Sequence, residues 1–86
     1  MTDDTDQGLR AVLGDVLGLN PARQAALTPD SPLLGALPEL DSMAIATLFG
    51  AIEERFGLFF DDDALSGDTI ETYGTLLATV RQARAA

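Results

Sequence analysis

The chain contains no histidine, no cysteine and no lysine. Without cysteine there is neither a disulfide framework nor a thiolate metal site. Without histidine the commonest metal ligand and general base is missing. With lysine absent as well, no serine hydroxyl has a base in this chain to make it nucleophilic, which excludes a serine hydrolase of the usual kind. Positive charge is scarce: five arginines stand against 14 acidic residues, a formal charge of −9. A nucleic acid or an anionic lipid surface would repel such a chain, so neither is an expected partner. The longest apolar-rich run, Met43 to Ile52, stops at Glu53-Glu54-Arg55, well short of the ~20 residues that cross a bilayer. No membrane insertion is expected. The acidic start MTDDTDQG is unlike the basic stretch and apolar core of a secretory signal, which predicts a cytoplasmic protein.

At 86 residues, 47% of them hydrophobic, the chain has enough apolar surface for one core and too little length for two. We therefore expect a single domain over 1–86. Leu9, Val12, Leu13, Val16 and Leu17 recur at i, i+3, i+4, i+7 and i+8, the stripe of an amphipathic helix over about 6–19. Thr5 or Asp6 can cap it, and Asn20-Pro21 is read as its end. Residues 20–41 hold all four prolines but also Leu27, Leu33, Leu34, Leu37 and Leu40, so this long connection is expected to lie on the core. Residues 22–27 within it have room for a short helical turn. A second long helix is predicted over 42–56, with Ile45, Leu48, Phe49, Ile52 and Phe56 on its core face and Gly57 as its terminator. Its opposite face carries Met43, Thr47, Gly50 and Glu54, flanked by Ala46 and Glu53. A short helix over 61–66 and a last helix over about 69–84 complete the pattern. Asp68 with Glu71 is read as the capping box of that last helix, and Ile70, Tyr73, Leu76, Leu77 and Val80 as its stripe. The fold class is all-α: three long helices plus one short helix, with a long first loop.

Few constellations offer chemistry. Asp61-Asp62-Asp63 invites a calcium reading, but an EF-hand begun at Asp61 would put Leu65 at a ligand position, Ser66 at the glycine and Thr72 at the closing glutamate. No metal site is predicted. The eight glycines never fall into a P-loop or GxGxxG spacing. Glu53 and Glu54 point about 100° apart on a helix and sit in a polar stretch, which suits a solvated face rather than acid–base work. Ser42, next to Asp41 at a helix start, is by local chemistry a capping or first-turn residue.

PELDSMAIATLFGAIEERFG, residues 38–57, resembles the signature region of acyl carrier proteins: Asp-Ser followed by an apolar residue at the start of the second helix, then a Glu-Glu-x-Phe ending. VLGL at 16–19, the leucine-bearing loop, DDDAL at 61–65 and the closing segment from Thr69 to Val80 extend the resemblance over most of the chain. It implies the small acyl-carrier bundle and a protein that is not itself an enzyme. Ser42 would bear 4′-phosphopantetheine, transferred from coenzyme A by a magnesium-dependent phosphopantetheinyl transferase, with Asp41 helping to present the serine. The arm supplies the thiol that the chain lacks, to hold an acyl group as a thioester. Acyl-loading and acyl-accepting enzymes would dock on Met43, Ala46, Thr47, Gly50, Glu53 and Glu54 of a monomeric carrier.

Ala44 and Thr47 stand where carriers of fatty acid synthesis commonly have acids, and Met43 stands for the usual leucine. This points to a specialised pathway of lipid or polyketide type. LPELDSM with EERFG and DDD is most similar to free-standing carriers of bacterial exopolysaccharide and exosortase gene clusters. An aminoacyl or peptidyl carrier, and a helical protein–protein interaction module without cofactor, stay open as alternatives. Ile45, Leu48, Phe49, Ile52, Leu65, Ile70 and Tyr73 could sequester an acyl chain, although ordinary core packing accounts for the same residues.

Overall fold

A computed structural model describes residues 4–85; Met1, Thr2 and Asp3 of the acidic start, and Ala86, lie outside the described residues. Four α-helices follow one another: α1 (Thr5–Leu17), α2 (Pro21–Ala26), α3 (Ser42–Phe56) and α4 (Tyr73–Ala85), with a single 3-10 turn at Asp62–Ala64 between the last two. The helical fold class agrees with the reading of the sequence, as do the bounds of α3. The other boundaries shift, each for a local reason.

α1 stops at Leu17 instead of Leu19 because Gly18 takes the left-handed conformation, φ 71°, that ends a helix cheaply only at glycine. Asn20-Pro21, read as the end of α1, instead starts α2. The Asn20 side chain accepts the Arg23 N–H at 2.8 Å, and Pro21 occupies the first helical position, where its missing N–H costs nothing. The short turn expected over 22–27 is thus a helix of six residues. The helix expected over 61–66 shrinks to the one turn 62–64.

The start of the last helix is the largest correction: α4 begins at Tyr73, not at residue 69, and Asp68 and Glu71 form no capping box. The backbone of 70–72 is engaged elsewhere. The carbonyls of Ile70 and Glu71 accept the N–H groups of Leu34 and Leu33 at 3.0 and 2.9 Å, and Pro32 faces Thr72 in an antiparallel bridge. The reciprocal cap falls four residues later: the Thr75 N–H donates to the Thr72 hydroxyl and the Thr72 N–H to the Thr75 hydroxyl, both at 3.1 Å. The first N–H groups of α4, from Tyr73 and Gly74, donate to the carbonyls of Ser31 and Pro29, each at 2.9 Å.

α1 packs against each of the other three helices. Leu9 and Leu13 on α1, Leu48 and Ile52 on α3, Leu76 and Val80 on α4, and Leu33 from the loop are all fully buried. Each contributes about 1.5–3 kcal/mol by leaving water. The long connection does lie on the core, through Leu27, Leu33 and Leu40.

One polar cluster joins three elements. The buried Tyr73 hydroxyl donates to the Asp6 carboxylate at 2.5 Å, while the Arg10 guanidinium donates to the same oxygen at 3.0 Å and to the Gln24 carbonyl at 2.6 Å. The Tyr73 hydrogen bond is the main reason that the Asp6 carboxyl is held below its ordinary value of 3.8, aided by Arg10 against the opposing effect of burial. Burial first, and then Asp6, push the Tyr73 hydroxyl up.

Two predictions follow from this packing. A carboxyl with a depressed folded pKa stabilises the fold above its unfolded value and loses that contribution as pH falls through the folded one. Asp6→Asn should therefore lower stability by about 1 kcal/mol at neutral pH, discounted for the half-exposed carboxylate, and flatten the loss of stability below pH 4. Urea titrations at pH 7 and at about pH 3 check this, and Tyr73→Phe should behave alike. Gly74 sits where the loop crosses α4, and a Cβ there would lie 2.6 Å from the Pro29 carbonyl oxygen. Gly74→Ala should lose about 1–3 kcal/mol to that backbone clash, whereas Gly50→Ala, in open space on α3, should gain about 0.5–1 kcal/mol. Thermal melts of the two variants should move in opposite directions.

Candidate functional site at the start of α3

Ser42 is the first residue of α3, and the chain before it is held at several points. Leu40 is buried, and its N–H donates to the Leu37 carbonyl at 3.0 Å. Glu39 pairs with Arg23 of α2 at 2.7 Å, which raises the arginine and lowers the carboxyl from their ordinary values chiefly through that hydrogen bond. Asp41 is extended, and its carboxylate accepts the Ala44 N–H at 2.8 Å while its carbonyl accepts that of Ile45. The side chain and backbone of Asp41 thus both serve the helix.

Ser42 itself is exposed, and its hydroxyl makes no hydrogen bond among the described residues. No base lies at hand: the acid beside it is committed to the cap. With Asp41 satisfying Ala44, the N–H groups of Ser42 and Met43 stay open at the positive end of α3, a setting that favours a phosphate ester on the serine.

A shallow groove of about 390 Å³ starts at Ser42 and follows α3 along Ile45, Ala46, Phe49 and Gly50 to Glu53, with Leu65 from the following loop on its far side. Of the residues read as able to shield an acyl chain, Ile45, Phe49 and Leu65 line this groove. Leu48, Ile52, Ile70 and Tyr73 are buried in the core and do not.

The residues read as a docking face are mostly where the helical wheel puts them. Met43 is 81% exposed, and Ala46, Thr47, Gly50 and Glu54 are exposed along the same helix. Glu53 differs: half-buried, its carboxylate accepts the Phe60 N–H at 3.0 Å and so holds the loop that leaves α3. The Arg23–Glu39 pair was not legible, because no local spacing rule joins residues 16 apart. Among the described residues no group of three acids or other donors is arranged to hold a metal ion, and no helix is long and apolar enough to cross a membrane.

Ser42 thus stands exposed on a capped helix start, beside a groove lined largely by apolar side chains. The family model described as "Phosphopantetheine attachment site" matches residues 7–80. The solution structure of a holo acyl carrier protein from Nitrosomonas europaea is 41% identical to this chain, covers 99% of it and 100% of its own length, and superimposes with a TM-score of 0.86. A crystal structure of an engineered Bradyrhizobium japonicum glycine:[carrier protein] ligase, complexed with a carrier protein from Agrobacterium tumefaciens and ATP, matches at 24% identity. That match covers 91% of this chain and 97% of the matched one, with a TM-score of 0.75, and speaks to the fold alone. No curated protein matches. The chain belongs to the acyl carrier protein family, and its cofactor is covalently bound 4′-phosphopantetheine.

The double use of Asp41 yields a prediction on stability. Asp41→Ala should cost about 0.5–2 kcal/mol through the lost cap, while Asp41→Asn, an equally good capping residue, should stay within a few tenths. Chemical denaturation of the two variants separates them.

Proposed function

We propose that Ser42 is the attachment point of the phosphopantetheine arm and that the protein carries an acyl group between enzymes of a specialised biosynthetic pathway. The observation that carries this reading is the exposed, unpartnered Ser42 hydroxyl at the capped start of α3, at the head of an apolar groove. The arm, when attached, supplies the thiol on which an acyl group is held. The chain's own part is to present the hydroxyl, orient the arm along α3 and offer a surface for docking. Tethering raises the local concentration of the acyl group at a docked enzyme, and weak docking lets enzymes exchange.

In this reading Asp41 also helps to present Ser42 to the phosphopantetheinyl transferase, and Met43, Ala46, Thr47, Gly50 and Glu54 meet the partner enzymes. Glu53 stands at the edge of that face with its carboxylate engaged by the loop. The first two turns of α3 expose Met43, Ala46 and Thr47 and no charge, which supports apolar rather than ionic docking there and a pathway other than housekeeping fatty acid synthesis. Exopolysaccharide or exosortase-linked chemistry is the pathway that the sequence resemblance favours. A single domain over the whole chain, working as a cytoplasmic monomer, completes the proposal. The protein would be a substrate of other enzymes and no catalyst itself.

Incubation with coenzyme A, magnesium and a broad phosphopantetheinyl transferase, followed by intact mass, tests it. The wild type should gain one phosphopantetheinyl unit and Ser42→Ala none; an unmodified wild type sinks the reading. Asp41→Asn, folded as well as the wild type, should load at least about tenfold more slowly if its charge helps to hold the transferase's metal near the serine. Mass spectrometry of the holo protein from its own host would show whether the cargo is an acyl or an aminoacyl group.

A further inference from the structure

Phe59 is 89% exposed, the most exposed of the large apolar side chains among the described residues. Its exposure is imposed by its neighbours. Leu58 and Phe60 on either side are both buried; the Leu58 N–H donates to the Glu53 carbonyl at 3.1 Å and the Phe60 N–H to the Glu53 carboxylate at 3.0 Å. Phe60 also stands edge-on to Phe49, with ring centroids 5.3 Å apart. With Leu58 and Phe60 both held inward, Phe59 between them is turned outward. Any residue at 59 would face water, and the fold gains nothing from a phenyl ring there.

The ring stands between two concavities of about 500 and 220 Å³, both bordered by Ala83 of α4. Asp61, Asp62 and Asp63 follow immediately, all exposed, and none takes part in an ion pair among the described residues. An apolar knob beside three open carboxylates matches a pocket rimmed by cations. It does not match a second copy of this chain, which would bring two aspartate runs together in molecules of charge −9, nor an anionic lipid surface.

We propose that Phe59 with Asp61, Asp62 and Asp63 is a second docking point, whose partner is a protein with an apolar pocket for one phenyl ring, rimmed by lysine or arginine. α3, with 15 residues, separates this point from Ser42 by roughly 20 Å. A partner gripping the far end of α3 therefore leaves the serine and the groove uncovered. The proposal stands on this end of the molecule alone and does not depend on the role of Ser42.

The test places benzoylphenylalanine at position 59 of the full chain in its own host, with cross-linked peptides sequenced after irradiation. The identified protein is then titrated with the wild type, Phe59→Ser and the triple variant Asp61→Asn/Asp62→Asn/Asp63→Asn. We expect a cross-link to a peptide bearing lysine or arginine, and binding at least about tenfold weaker for Phe59→Ser. Wild-type affinity should fall as salt rises from about 50 to 500 mM, and that dependence should vanish in the triple variant. An adduct with lipid or with a second copy of the chain, no adduct at all, or Phe59→Ser binding within twofold of wild type would each overturn the proposal. Circular dichroism and transferase loading at Ser42 report fold and carrier function separately, so failure of the carrier reading and failure of this one are told apart.

Discussion

The junction between the long loop and the start of α4 is the constraint on which the rest of the structure depends. Leu33 and Leu34 donate to the carbonyls of Glu71 and Ile70, and Ser31 and Pro29 accept from Tyr73 and Gly74. A loop of some 15 residues between α2 and α3 would otherwise leave its backbone groups to water and its leucines without a fixed place. By pairing with residues 70–72, just ahead of α4, it buries Leu33 and sets where the chain must re-emerge. From there Leu37 and Leu40 reach the core, and Asp41 arrives extended at the start of α3. Gly74 is part of the same constraint, because only its missing side chain lets Pro29 approach.

The polar residues divide along similar lines. Arg10 is spent on Asp6, Tyr73 and the Gln24 carbonyl, Arg23 on Glu39, and Arg84 on Asp4 and the face of Phe56, which Arg55 covers from another side. These arginines tie elements together and offer little charge to a partner. Most acids face outward without such partners, so the outer field of the molecule is negative. The first turns of α3 are an exception, since the surface there is apolar and small.

How much of this was legible depended on whether the deciding interaction was local. The stripe of α3, its Asp41 cap and its Gly57 stop all lie within a few residues of what they control, and its bounds were read without error. Gly18, equally local, was overshadowed by Asn20-Pro21 as the expected end of α1; Leu19 is buried, but outside the helix. Asn20-Pro21 had two valid readings, the end of one helix and the start of the next, and the side-chain cap to Arg23 favours the second. The start of α4 could not be read locally at all. Asp68 and Glu71 have the right spacing for a box, but residues 70–72 are claimed by a loop 38 positions earlier. Ser42 was legible as a helix start from chemistry, while its proposed role as attachment point rests on the resemblance of the whole segment. The tie between Glu53 and Phe60 depends on a loop path that no periodicity encodes.

That tie joins the groove beside α3 to the loop that leaves the helix. Glu53 lies on the border of the face beside Ser42, yet its carboxylate is engaged by the loop that turns Phe59 outward. It also lines the groove that begins at Ser42, four residues beyond Phe49, to which Phe60 stands edge-on. Anything that entered the groove as far as Glu53 would press on the residue that sets the path of the loop. The groove wall from Leu65 belongs to the same loop. Glu53 and Phe49 thus line the groove on one side and hold Phe60 on the other, although the serine and the exposed ring lie at opposite ends of the helix.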